Sequence, residues 1–207
     1  MEQHSDTFLD NASEALKNSG QAERRDRIAL FASQIRTAAI DSFEDFDDLR
    51  HHVKKIRQHS LDNLDYYLSQ FEKEAVHNGN QVHFARDSEE FNSLVLDICQ
   101  QHDARRIAKG KSIVTEETGL NSFLQSAGLN VMETDLGEYI IQQAGETPSH
   151  IVSPALHKSA NEIRELFQQK HDLGHRELQK TSDLVAEARN VLREHFLQAE
   201  VGVIGAN

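Results

Sequence analysis

At 207 residues the chain can hold one large domain or a domain with an added arm, and its 22 basic against 34 acidic side chains give a formal net charge of -12. That balance argues against nucleic acid or an anionic membrane as the main partner. The single cysteine, Cys99, excludes a disulfide framework or a cysteine-ligated cluster built from this chain alone, while the absence of an apolar membrane-length run and the polar start read as cytoplasmic.

Up to Gly79 the pattern is helical. Phe8, Ala12, Ala15 and Leu16 predict a first short helix closed near Gly20, and Ile28, Phe31, Ala32, Ile35 and Ala39 a second. Ser42 with Asp45 three residues on reads as a capping box opening a third. From Phe46, the positions Leu49, Val53, Ile56, Leu64, Tyr67 and Phe71 form one apolar stripe on a long helix, with a possible break near His59-Ser60 and C-cap chemistry at Asn78-Gly79-Asn80. The expected organisation is therefore a helical arm over 1–79 and an α/β segment over 80–207.

After Gly79 strands and helices alternate. Val82 and Phe84 predict a strand over 81–85, and Asp87 or Ser88 caps a helix using Phe91, Leu94, Val95 and Ile98. Residues 105–117 join a short strand to a helix start, with Thr115 ahead of the acidic pair Glu116 and Glu117. A helix burying Leu120, Phe123 and Leu124 follows and stops at Gly128. Strands are predicted over 130–134, leading into Asp135-Leu-Gly-Glu-Tyr-Ile-Ile, over 149–153 and from Val201, with helices around Ile163, Leu166 and Phe167 and over 181–197. Residues 174–182 read as a mobile loop. This order implies right-handed crossovers and a mainly parallel, Rossmann-like sheet.

Polar residues gather just past the predicted strand ends, where open α/β sheets bind ligands. Lys109, Lys111, Ser112, Thr115, Glu116, Asp135 and Asn207 are the candidate ligand contacts for a small carboxylate or phosphate, and Glu117, Glu138 and His157 the candidates for acid–base chemistry. His171 and His175 have the spacing of a helical metal pair, but Gly174 intervenes and no third ligand is evident, so the pattern predicts surface residues and no metal site. His51-His52 reads as solvated, Cys99 as a small core residue, and Val201-Gly-Val-Ile-Gly lacks the dinucleotide fingerprint.

Several of these segments resemble a known family. Ile56-Arg-Gln-His-Ser-Leu-Asp-Asn-Leu-Asp-Tyr-Tyr-Leu68, Lys109-Gly-Lys-Ser-Ile-Val-Thr-Glu-Glu117, Thr134-Asp-Leu-Gly-Glu-Tyr-Ile140, Pro148-Ser-His-Ile-Val-Ser-Pro-Ala-Leu-His157 and Ala199-Glu-Val-Gly-Val-Ile-Gly-Ala-Asn207 are similar to the N-terminal part of the bacterial lactate-utilization iron–sulfur proteins (LutB type). The resemblance implies a lactate-utilization (LUD) domain with a fold like the sugar-phosphate isomerase and coenzyme A transferase group. It further implies work with other lactate-utilization subunits to oxidise L-lactate to pyruvate. In that family a following ferredoxin-like segment holds the clusters, so this chain, ending at Asn207, is expected to be a truncated piece with no cofactor of its own. Two other functions fit the same residues: a self-sufficient isomerase, transferase or cyclo-ligase of similar fold, and a helical interaction module anchored by the α/β part.

Overall fold

A computed structural model describes residues 7–17, 19–150 and 152–205. The chain divides into two compact units, Ala22–Phe84 and Met1–Gln21 with Ala85–Asn207. Four helices come first: α1 (Phe8–Leu16), α2 (Ser19–Asp41), α3 (Phe46–Asp62) and α4 (Leu64–His77). Gly20 lies inside α2 rather than ending α1, because a short turn at Lys17 already separates the two helices. The expected capping box does not form. Ser42 Oγ instead donates to Ala39 O at 2.7 Å, closing α2, and Asp45 opens α3 without a side-chain bond.

The long helix is two helices, broken at Asn63. Its Nδ2 donates to His59 O at 2.8 Å, an asparagine competing with the backbone for the last carbonyls of α3. His59 Nε2 and Tyr67 Oη, 3.0 Å apart, bridge the break. The stop after α4 is as expected: Gly79 takes φ +82°, a left-handed conformation natural to glycine, and Asn80 N donates to Ala75 O at 2.9 Å. No residue of α3 or α4 is buried.

Residues 81–85, predicted as a strand, form no strand and pair with none among the described residues. Then come α5 (Ser88–Gln101), β1 (Arg106–Lys109), α6 (Ile113–Glu117), α7 (Leu120–Ser126), β2 (Asn130–Glu133), α8 (Leu136–Ala144), α9 (Ala160–Lys170), α10 (Thr181–Gln198) and β3 (Val201–Val203). The architecture is α/β with a parallel sheet in the order β2-β1-β3. The strand expected over 149–153 is absent at every described position. Ser149 N and Oγ both bond Pro154 O, folding the segment back as a turn, and Ile151 lies outside the described residues.

Helices cover both sheet faces. Ile107 and Val131 pack with Cys99, Leu120 and Leu124 from α5 and α7. On the other side Met132 packs against Tyr139, Ile140, Phe167, Leu184 and Leu192 from α8, α9 and α10. Cys99 is fully buried, the core residue its helical position predicts, and burial pushes its thiol up. At the start of the sheet Arg106 clamps Glu200: Arg106 N reaches Glu200 Oε2 at 2.7 Å and the guanidinium takes the other oxygen. These bonds hold the Glu200 carboxyl down at about 2. No helix among the described residues is long and apolar enough to cross a membrane.

Candidate functional site

Strand alternation sets the site. Ile107 and Lys109 share one face of β1, so the residue that extends the apolar core by two positions is a lysine. Register pairs Lys109 with Glu133, the last residue of β2. Lys109 is fully buried, and its Nζ bonds Thr115 Oγ1 at 2.9 Å, Glu116 Oε1 at 2.8 Å and Glu133 Oε1 at 2.8 Å. An ammonium has three donors, so this one is fully satisfied. Burial alone would push Lys109 down, but the bonds to Glu116 and Glu133 outweigh it and hold the group above the ordinary lysine range.

The surrounding elements are built to reach this lysine. Ser112 is the N-cap of α6, accepting from Thr115 N at 3.3 Å; the helix thus starts ahead of Thr115, which is buried inside it. Thr115 Oγ1 donates to Ser112 O at 2.9 Å, which aims its lone pairs at Lys109. Asn121 on α7 donates to Glu133 Oε1 at 2.5 Å. Asp135 caps α8 through Gly137 N at 3.1 Å. Gly205 presses its backbone on the junction, where a Cβ would lie 2.6 Å from Ser112 Cβ and 2.9 Å from Lys111 O.

Two carboxylates dominate the electrostatics. Glu133 and Glu138 are 3% and 8% exposed, and one oxygen of each, Oε2, is buried with no hydrogen-bond partner. Burial first, and the nearby charge of Glu133 second, push the Glu138 carboxyl up to about 7, although Lys109 and Lys111 pull the other way. Glu138 therefore exchanges its proton near neutral pH, as a general acid or base must. Lys111 carries no carboxylate partner among the described residues; its Nζ donates to Val152 O at 2.6 Å.

Of the predicted residues, the structure brings Lys109, Ser112, Thr115 and Glu116 into one bonded cluster, with Asp135 and Glu138 beside it. Glu117 is exposed and lines a 450 Å³ recess with Thr115, Glu116 and Asn121. His157 is engaged elsewhere, its Nε2 2.8 Å from Glu146 Oε2. Asn207 lies outside the described residues.

Sequence reasoning missed Glu133, although the alternation that places Val131 in the core also places Glu133 on the Lys109 face. It also misread His171. That side chain is 3% exposed, stacked on Phe167 at 4.4 Å and bonded to Tyr139 and Glu187, because His171, the C-cap of α9, turns in against α8 and α10 while residues 174–177 after it stay at the surface. The described residues contain no group of three or more His, Cys, Asp or Glu side chains placed to hold a metal ion.

The family model described as the LUD domain matches residues 68–207. The chain belongs to the LUD-domain family. This LUD domain is 41% identical over 97% of its chain to lactate utilization protein B of Bacillus velezensis, covering 42% of that protein. It is 39% identical over 98% of its chain to lactate utilization protein B of Bacillus subtilis, again covering 42% of it. For lactate utilization protein B of a Geobacillus species the identity is 43% over 83% of this chain and 36% of that protein. The chain thus spans less than half the length of these curated relatives. No solved structure matches it. The one cysteine of this LUD domain, Cys99, is buried in the core.

Proposed function

We propose that this LUD domain is the N-terminal part of a subunit that oxidises L-lactate to pyruvate in the cytoplasm. The similarity to lactate utilization protein B along nearly the whole chain carries the reading. On this reading the strand ends handle the substrate. Lys109, its donors already occupied, fixes Glu133 and α6 in place. Lys111 meets the substrate carboxylate by exchanging its bond to Val152 O, and Glu138 accepts the proton of the substrate hydroxyl. Oxidation to the ketone also releases two electrons and a second proton, which leave to a redox group outside this chain.

The test is L-lactate-dependent reduction of an electron acceptor by the protein that carries this domain, with its partner subunits. Glu138→Gln is expected to lose most of kcat and the pH-dependence near 7, since general acid–base groups contribute roughly 100- to 10,000-fold. Lys111→Ala is expected to raise KM. Wild-type rates and an unshifted pH profile in Glu138→Gln would remove the domain from the chemistry.

A second observation favours partner binding by the helices. Leu49, Val53, Ile56, Leu64, Tyr67 and Phe71 are all exposed, on helices that bury nothing. Val53→Asp with Ile56→Asp is expected to weaken assembly with the other lactate-utilization subunits without altering the α/β unit, as co-purification and the melt of each variant would show.

A further inference from the structure

Away from the strand ends, a cleft of about 840 Å³ opens beside α8, the end of α9 and the second half of α10. Tyr139 and His171 in its wall belong to a hydrogen-bonded chain that the strand-end chemistry does not use. Tyr139 Oη lies 2.7 Å from His171 Nε2, and His171 Nδ1 lies 3.2 Å from Glu187 Oε1. Glu187, 1% exposed at its side chain, forms an ion pair with Arg176, whose Nε donates to Oε2 at 2.7 Å.

The proton inventory of this chain is fixed. An ionised carboxylate only accepts, so His171 Nδ1 carries the ring proton. Burial lowers the His171 pKa despite the Glu187 bond, which keeps the ring neutral and leaves Nε2 as an acceptor. The Tyr139 hydroxyl must therefore donate to His171. Burial, then the charge of Glu187, push Tyr139 up to about 12, so the phenol stays protonated. Its only donor is committed, and its oxygen keeps a free lone pair on a side chain that lines the cleft while only 1% exposed.

The charges around it point the same way. Asp172, Glu194 and Arg176 line the cleft, and both carboxylates act on Arg176, which they share with Glu187. Lys170 and Arg193 line it too and form no ion pair with another described residue. Both are long, exposed side chains able to close on an anion. Two unpaired cations beside one oriented acceptor match two carboxylates and one hydroxyl.

We propose that this cleft binds a small hydroxydicarboxylate, with Lys170 and Arg193 on its carboxylates and the Tyr139 oxygen accepting from its hydroxyl. The site is separate from the strand-end cluster and does not depend on the lactate reading.

Calorimetric titration with L-malate and with succinate, which lacks only the hydroxyl, tests it on the whole chain. L-malate is expected to bind more tightly than succinate by roughly 2- to 10-fold, the yield of one net hydrogen bond. Tyr139→Phe is expected to erase that preference, and Lys170→Ala with Arg193→Ala to weaken both ligands at least 10-fold. The double variant changes exposed positions only, so it remains informative if Tyr139→Phe disturbs the core. Equal affinity of the two ligands for the wild type, no measurable binding, or binding lost in Lys111→Ala but kept in the double variant would overturn the site. The last result would place the anion at the strand ends, in line with the lactate reading.

Discussion

Lys109→Met removes the one cation on which the strand-end cluster is built while keeping a side chain of similar length. The ammonium it deletes is fully buried and satisfies Glu133, itself 3% exposed, together with Thr115 and Glu116. Glu116 is 36% exposed at its side chain and can turn to water, so its pairing is worth under about 1 kcal/mol. Glu133 has no such escape. Its Oε2 is already without a partner, and losing Lys109 leaves Asn121 as the only group on the other oxygen. Stranding a buried charge in this way costs about 3–5 kcal/mol. Lys109→Met with Glu133→Gln removes both charges, and the double variant is expected to regain most of the stability. Urea denaturation of the four proteins in this cycle, followed by circular dichroism because the chain has no tryptophan, gives the coupling directly. A single-variant loss under about 1 kcal/mol, or a double variant no better than Lys109→Met, would refute the buried pair as the keystone of the site.

Two further outcomes follow from the same geometry. The folded-state pKa of Glu138, about 7, stands above its ordinary 4.5, so the folded chain binds more protons between those values; the stability this gives is full below pH 4.5 and lost as pH rises through 7. The difference is worth up to about 3 kcal/mol, so Glu138→Gln is expected to melt above the wild type at pH 8 and to lose that advantage by pH 5; parallel melting curves would contradict it. Gly205→Ala places a Cβ 2.6 Å from Ser112 Cβ and 2.9 Å from the Lys111 carbonyl, and the backbone cannot yield as a flexible side chain would. A loss of about 1–3 kcal/mol is expected in thermal melts, and a neutral change would mean that the segment after β3 moves freely off the junction.

What the sequence revealed is what local pattern encodes. The alternation of strand and helix after residue 85 set out the parallel sheet, and the cap at Asp87 and the stop at Gly79 fell where their side chain or backbone freedom predict. The segments at 81–85 and 149–153 looked like strands because an alternating or apolar run reads the same whether or not a neighbour is present to pair with it. The break expected near His59-Ser60 falls a few residues later, at Asn63, because the apolar stripe passes straight across both positions. In the candidate site Lys109 was legible as a polar residue at a strand end, but its burial was not, since that depends on Glu133 in the neighbouring strand. The Tyr139–His171–Glu187 chain joins residues separated by 32 and 16 positions, and no local spacing announces it.

The most direct test of the central claim is binding of L-lactate to the domain, followed by calorimetry on the wild type and Lys111→Ala. Loss of one charge-assisted contact is expected to weaken binding roughly 10-fold or more with an unchanged melting profile. The same affinity in both proteins would contradict a substrate site at the strand ends.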